Sequence, residues 1–164
     1  MRPKPSPVGP GQESVWSYPR PPRAEVVRRR AVVTLAGVVV VDTDDLVRVL
    51  ETSHPPTYYL PRAAFRPGTL VAGTRRTHCE WKGVARYVDV LAAGARRVDG
   101  GWWYPEPDPR YPELTDRVAL YPARYDRITL DGELVAPQPG GFYGGWVTAD
   151  VVGPFKGEPG TNWW

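Results

Sequence analysis

The sequence is poor in the residues that cross-link a chain or bind a metal ion. It contains one cysteine and two histidines among 164 residues. A single cysteine excludes an internal disulfide, and it leaves too few Cys and His side chains for a four-ligand structural zinc site. The longest apolar run, residues 38–41, is far shorter than the roughly 20 residues that cross a bilayer. We therefore expect no bound metal ion and no membrane partner.

Lysine is scarce as well, because arginine supplies 18 of the 21 basic residues and lysine only three. The net charge is only +3, and the densest basic cluster, residues 28–30, directly precedes a β-like run. Such a cluster either touches phosphate or prevents pairing at a sheet edge. No continuous basic stripe accompanies it, so we expect no nucleic-acid partner.

Signatures of common enzymes are also missing. No Gly-x-Gly-x-x-Gly, no phosphate loop and no Gly-x-Ser-x-Gly occurs, so no cofactor is expected. Asp42 and Asp44 have the spacing of a two-carboxylate magnesium site, although an Asp-rich turn at a strand end has the same composition. Whether the protein is an enzyme stays open.

Glycine and proline, by contrast, are abundant, with 17 and 20 residues. This leaves little room for long helices, and the length fits a single domain. We expect a Pro-rich N-terminal extension (1–30) without a signal peptide, a β domain (31–135), and a Gly- and aromatic-rich C-terminal extension (136–164). The rings of the last segment are expected to pack on the domain. A cytoplasmic protein, monomeric or homodimeric, is the resulting expectation.

Between the extensions the patterns are those of strands. Two hairpins are predicted, one turning at Ala36-Gly37 and one at Asp131-Gly132, each flanked by alternating or β-branched residues. Further strands are predicted at 57–60, 75–81 and 84–91, and residues 46–50 form either a strand or a short irregular segment. Only residues 112–120 look helical, since Pro112 suits the first turn and Leu114 and Val118 share one helical face.

Three segments hold candidate binding residues. In residues 53–59, two prolines hold His54 in a fixed place, and Tyr58 and Tyr59 point to opposite faces of a strand. His54 is either an acid–base or hydrogen-bonding group or a structural histidine bonded to a carbonyl.

In residues 77–83, Lys82 is notable because lysine is so rare, and it can bind phosphate or carboxylate as a point charge or lie on the surface. The tripeptide Trp81-Lys82-Gly83 has a weak echo in Phe155-Lys156-Gly157. Lys156 either reaches the mouth of a pocket or lies on the surface.

In residues 102–109, Trp103 and Tyr104 precede alternating prolines, which gives a stiff segment that lays rings along a sheet. Such rings form either an aromatic wall or part of the core, and Tyr121 could close the same wall.

These motifs together resemble the domain-of-unknown-function family numbered 427. The resemblance rests on residues 53–59, on Thr77-His78-Cys79-Glu80-Trp81-Lys82-Gly83-Val84-Ala85-Arg86-Tyr87, on Trp103-Tyr104-Pro105-Glu106-Pro107, and on Val118-Ala119-Leu120-Tyr121. It implies a small bacterial protein with a β-tent-like fold, two antiparallel sheets meeting at an angle, akin to the drug-binding domain of cereblon.

The family is sometimes given a nucleotidyltransferase-like name. That chemistry needs a Gly-Ser or Gly-Gly helix start before a carboxylate pair. Here Gly140-Gly141 follows Asp42 and Asp44, so the order is reversed.

We therefore expect a mainly β domain that binds a small flat or anionic ligand in an aromatic-lined pocket. The expected lining is His54, Tyr58, Lys82, Tyr87, Trp103 and Tyr104. Rings would supply apolar area, while His54 and Lys82 would supply orientation and charge. The alternatives are a metal-dependent nucleotidyltransferase-like enzyme, a hydrolase that uses His54, and a protein-interaction module.

Overall fold

The computed structural model describes the whole chain, residues 1–164, and its architecture is almost entirely β. The strands are β1 Glu13–Ser14, β2 Arg23–Val27, β3 Ala31–Leu35, β4 Val38–Thr43, β5 Leu46–Leu50, β6 Thr57–Pro61, β7 Leu70–Cys79, β8 Gly83–Ala92, β9 Ala95–Trp103, β10 Arg117–Leu120, β11 Arg127–Leu130, β12 Glu133–Leu134, β13 Ala136–Pro137, β14 Trp146–Val147 and β15 Val151–Val152. The helical residues form four single 3-10 turns: Val15–Ser17, Arg62–Ala64, Pro112–Leu114 and Pro122–Arg124. None of these turns has the length or apolarity that a membrane crossing requires.

Two antiparallel sheets contain most of the strands. The larger has the order β2-β5-β6-β10-β9-β8-β7, and the smaller has the order β12-β11-β3-β4. Two short pairs, the parallel β1-β15 and the antiparallel β13-β14, join the chain termini to this framework. The fold class predicted from the sequence, mainly β with antiparallel sheets, is confirmed.

Both predicted hairpins are present, and their turns have the expected backbone. Ala36 and Gly37 have φ values of 50° and 76°, and Asp131 and Gly132 have φ values of 50° and 82°. Two successive positive φ angles define the type I′ turn, whose twist matches that of the flanking strands. Local turn chemistry therefore determines both connections of the smaller sheet.

The predicted helix at 112–120 is wrong. Only Pro112–Leu114 forms a 3-10 turn, and after Asp116, whose φ is 55°, the chain enters β10. This strand pairs with β6 on one side and β9 on the other, so long-range pairing overrides the local helical spacing. Leu114 and Val118 are both buried, but they belong to different cores.

The larger sheet buries residues on both of its faces. One face packs against the smaller sheet and forms a core of 18 buried residues, in which Leu60 and Val118 are fully buried. The opposite face forms a second core of ten residues, which includes Tyr59 and Ala119. Because successive residues of a strand point to opposite faces, neighbouring residues contribute to different cores.

Both terminal segments contact the sheets. β2, which lies in the predicted N-terminal extension, is an edge strand of the larger sheet. In the C-terminal segment the Trp146 side chain is fully buried in the core between the sheets, where its indole N–H donates to the Leu120 carbonyl at 3.3 Å. The division of the chain at residues 30 and 135 stays a prediction.

Candidate functional site

A cavity of about 630 Å³ lies on the face of the larger sheet that the smaller sheet does not cover. Tyr59 from β6, Tyr87 from β8 and Trp102 from β9 point into it, since their positions share one face of the sheet. Residues of the C-terminal segment line the opposite side, among them Gln138, Tyr143 and Lys156. The cavity therefore lies between the sheet and the C-terminal segment, and it is partly open to solvent.

The ammonium group of Lys82 lies in this cavity with Tyr59, Tyr104 and Cys79 around it. Burial disfavours its charged form, but attraction to the ionised forms of Tyr59, Cys79 and Glu51 outweighs burial and holds the pKa of Lys82 above its usual value. Lys82 forms no ion pair, whereas arginine side chains form ten ion pairs with carboxylates elsewhere in the protein. Lys82 thus faces the cavity without a direct ion pair, and the acidic side chain that acts on it is Glu51, which also lines the cavity.

The phenols beside Lys82 stay protonated at neutral pH. Burial is the main cause that raises the pKa of Tyr59 and of Tyr104. Each phenol is a hydrogen-bond donor as well as an acceptor, and the ammonium has three donors. This end of the cavity is rich in donors and suits an oxyanion.

His54 is held in a single tautomer by Gln138. The amide oxygen of Gln138 accepts from the Gly145 N–H at 3.0 Å, and its nitrogen donates to the Lys156 carbonyl at 2.8 Å. The same nitrogen lies 3.0 Å from His54 Nδ1, so it donates and Nδ1 accepts. The proton of the neutral imidazole therefore resides on Nε2.

The imidazole of His54 is neutral at physiological pH. Burial, together with the positive charges of Lys156, Arg20 and Lys82, lowers its pKa to about 3, although the hydrogen bond from Gln138 opposes this shift. Glu51 Oε2 lies 3.8 Å from Nε2, beyond hydrogen-bond distance. His54 thus offers an N–H donor and does not carry charge.

The C-terminal segment completes the wall next to His54. The ring of Tyr143 packs edge-on against His54 with centroids 4.7 Å apart, and the Lys156 ammonium lies 5.6 Å from the Tyr143 centroid. Burial, followed by the charge of Arg20, lowers the pKa of Lys156. Gly144 is required for close approach, because a Cβ there would overlap the Trp102 indole.

Aromatic rings continue to the other end of the cavity. Tyr121 packs against Trp102 with centroids 4.6 Å apart, and Thr77 Oγ1 lies 3.2 Å from the Tyr87 hydroxyl. The Arg75 guanidinium stacks on the Tyr87 ring at 4.6 Å. Burial raises the pKa of Tyr121, so its hydroxyl also stays protonated.

Of the six residues predicted to line a pocket, the structure brings four together. His54, Lys82, Tyr87 and Tyr104 all line the cavity. Tyr121, the proposed closing ring, also lines it, but from the end of a strand instead of a helix.

The predictions that Tyr58 and Trp103 line the pocket are wrong, because both residues lie on the opposite face of the sheet. The Tyr58 ring packs on Trp146 at 4.9 Å and its hydroxyl accepts from Arg29 at 3.3 Å. The Trp103 ring lies under the Arg62 guanidinium at 4.0 Å. In both cases the neighbouring residue, Tyr59 or Trp102, faces the cavity. The sequence predicted that Tyr58 and Tyr59 point to opposite faces, but the face assigned to Tyr58 was wrong.

Sequence reasoning missed Tyr59, Trp102, Gln138 and Tyr143 as lining residues. Nothing in the sequence marks Gln138, whose role depends on contacts with residues 84 positions away. The sequence did contain an indication for Lys156, because the tripeptide Phe155-Lys156-Gly157 resembles Trp81-Lys82-Gly83.

Asp42 and Asp44 do not form the two-carboxylate magnesium site that their spacing suggested. Asp42 accepts two hydrogen bonds from Arg30, at 2.8 and 2.7 Å, and Asp44 is exposed. The side chain of Arg30 lowers the pKa of Asp42. No group of three His, Cys, Asp or Glu side chains is close enough to hold a metal ion.

One comparison with known proteins is informative. Residues 23–131 match the family model named NTP_transf_9 and described as "Domain of unknown function (DUF427)". The matched range covers most of the chain and contains the sheet side of the cavity, whereas Gln138, Tyr143 and Lys156 lie beyond it. No curated protein matches the chain.

Proposed function

We propose that the chain, which belongs to the DUF427 family, binds a small flat or anionic ligand in the cavity of the larger sheet. The observation that carries the proposal is the side chain of Lys82, which forms no ion pair and lies among aromatic rings in a partly open cavity. The binding residues proposed are His54, Lys82, Tyr87 and Tyr104, together with Tyr59 and Trp102.

The size and composition of the cavity support this function. Small-molecule sites occupy about 300–1,000 Å³ and combine apolar walls with few polar groups that orient the ligand. Here Tyr87 and Trp102 supply flat apolar area, while the His54 N–H and the Lys82 ammonium supply direction and charge. A buried charge without a partner is costly, and a bound anion would remove that cost.

The placement of the two sheets supports a finer description of the fold. We infer a β-tent-like arrangement, in which the larger and smaller sheets meet at an angle around their shared core. The family resemblance implies a bacterial protein, and the free thiol of Cys79 is compatible with the reducing cytoplasm. We propose a monomer or homodimer that acts without nucleic acid.

The test is a thermal-shift screen of aromatic acids, heterocycles, sugars and nucleotides against a matched pair of variants. Ala123 and Ala63 are both exposed and lie in 3-10 turns, but only Ala123 lines the cavity. Ala123→Trp is expected to abolish or weaken the shift that a ligand gives, because the indole occupies the cavity. Ala63→Trp is expected to leave it unchanged.

Two results would contradict the proposal. The first is a screen in which no compound raises the melting temperature of the wild-type protein. The second is a ligand whose effect persists in Ala123→Trp, since that ligand would bind elsewhere.

A further inference from the structure

The two aromatic-Lys-Gly tripeptides are brought to the same cavity. Lys82 and Lys156 lie 74 positions apart, yet both line it, and the charges of both act on His54. The chain has only three lysines, and the third, Lys4, is exposed and does not line the cavity. The two free ammonium groups of the cavity thus come from different parts of the chain.

The backbone at each lysine is held in a similar way. Gly83 and Gly157, which follow the lysines, have φ values of 109° and 141°. A Cβ at Gly83 would lie 3.3 Å from the Glu106 carbonyl, and one at Gly157 would overlap the Pro139 carbonyl. In both tripeptides a glycine therefore allows tight packing directly after the lysine.

Hydrogen bonds secure the same two positions. The Lys82 carbonyl accepts from the Asp108 N–H at 3.0 Å. The Lys156 N–H donates to the Ser53 carbonyl at 2.9 Å, and its carbonyl accepts from Gln138 at 2.8 Å. Anchoring of this kind reduces the ordering that binding would otherwise require.

The donors of both ammonium groups are available. Lys82 donates to no oxygen or nitrogen atom of the protein, and its side-chain partner is the Cys79 thiol. Lys156 donates one hydrogen bond, to the main-chain oxygen of Trp164 at 3.3 Å, which leaves two of its three N–H groups free. The arginines of the cavity are engaged otherwise, since Arg75 stacks on Tyr87 and Arg124 donates to the Val98 carbonyl.

Resting on the proposed function, we propose that Lys82 and Lys156 form a two-lysine clamp for the oxyanion of an aromatic ligand. The carboxylate or phosphate of the ligand binds between the two ammonium groups, with the His54 Nε2–H as a third donor. This oxyanion takes the place of the Glu51 carboxylate, which lies 3.8 Å from Nε2 and acts on both lysines. The ring of the ligand lies against Trp102 and Tyr143. The C-terminal segment, which lies outside the family match, thereby selects acidic ligands.

The experiment uses calorimetric titration of the full chain with matched acid and amide probes at neutral pH. The pairs are benzoate with benzamide and indole-3-carboxylate with indole-3-carboxamide, and phenyl phosphate and inorganic phosphate distinguish the oxyanion. The variants are K82Q and K156Q, and K4Q is the matched control. If the melting curve of K82Q shows that this variant does not fold, the comparison of K156Q with the wild-type protein tests the proposal.

The clamp predicts that at least one acidic probe binds at least tenfold more tightly than its uncharged partner. Each cavity variant is expected to weaken the acid about tenfold and to leave the amide unchanged, while K4Q changes neither. Comparison of benzoate with phenyl phosphate identifies which oxyanion fits the clamp.

Four results contradict the clamp. Equal binding of acid and amide, or equal loss of both in K156Q, would mean that the cavity binds flat ligands without lysine recognition, and the proposed function would stand. If inorganic phosphate binds as tightly as phenyl phosphate, the aromatic ring of the ligand contributes nothing to binding, which contradicts the proposed ring contacts. If no probe binds and the thermal-shift screen is also negative, both proposals fail.

Discussion

The two faces of the larger sheet bury side chains of different kinds. Four of the 18 buried residues between the sheets are aromatic, compared with five of the ten on the cavity face. Branched aliphatic side chains interdigitate with a facing sheet and leave no void. Tyrosine and tryptophan rings carry polar groups that need partners, so they pack less completely and border a cavity.

The difference extends to the covering layer. A regular four-stranded sheet covers one face, whereas irregular chain from residues 136–157 contributes to the cover over the other. Trp146 and Tyr143 lie three positions apart in this segment but serve different faces. The C-terminal segment therefore contributes both to stability and to the candidate site.

The largest effect is expected from Trp146→Ala, which tests whether the closed face depends on the C-terminal segment. The substitution removes a fully buried indole and its hydrogen bond to the Leu120 carbonyl. We expect the free energy of unfolding in urea to fall by about 3–5 kcal/mol. Trp163→Ala is the control, because that ring is 57% exposed. A loss below about 1 kcal/mol would show that the segment is an appendage.

An intermediate effect is expected when one valine is truncated on each face. Val118 lies in the closed core with no exposed surface, and Val49 is almost as buried but borders the cavity. Val118→Ala is expected to cost about 2–3 kcal/mol, because a new void forms in close-packed surroundings. Val49→Ala is expected to cost about 1 kcal/mol, because it enlarges an existing cavity. Equal losses in urea denaturation would contradict the difference between the faces.

The smallest effect is expected in the pH dependence of the free energy of unfolding, to which His54 on the cavity face contributes. The pKa of His54 is about 3 in the folded protein, below the ordinary value of 6.5 expected when unfolded. Between these values the unfolded chain binds a proton that the folded chain does not, so acid destabilises the fold. The free energy of unfolding should fall by about 1.4 kcal/mol per pH unit below pH 6.5 from this group alone.

The window from pH 6.5 to 5 isolates this histidine. Asp89 and Asp131, whose pKa values are lowered by hydrogen bonds from backbone N–H groups and arginines, lose their contributions only at lower pH. In urea titrations His54→Gln is expected to lose the slope, whereas His78→Gln, a substitution of the exposed second histidine, should retain it. A wild-type protein with no slope in this window would show that His54 is not held neutral by the fold.

The local sequence determined a large part of the fold. The turn pairs Ala36-Gly37 and Asp131-Gly132 define their hairpins through backbone preferences that act within two residues. Alternation in β6 also showed that Tyr58 and Tyr59 point to opposite faces of the sheet. Lys82 was identified from its rarity and its position at a turn.

Only the tertiary structure decided which face is which. When a strand has apolar residues on both faces, its sequence does not indicate which face meets the second sheet. The faces on which Tyr58 and Trp103 lie could therefore not be predicted. Pairing with β6 and β9 likewise made a strand of 117–120, although its spacing suits a helix. Gln138 and Lys156 reach His54 through contacts between distant segments, and chain packing alone determines such contacts.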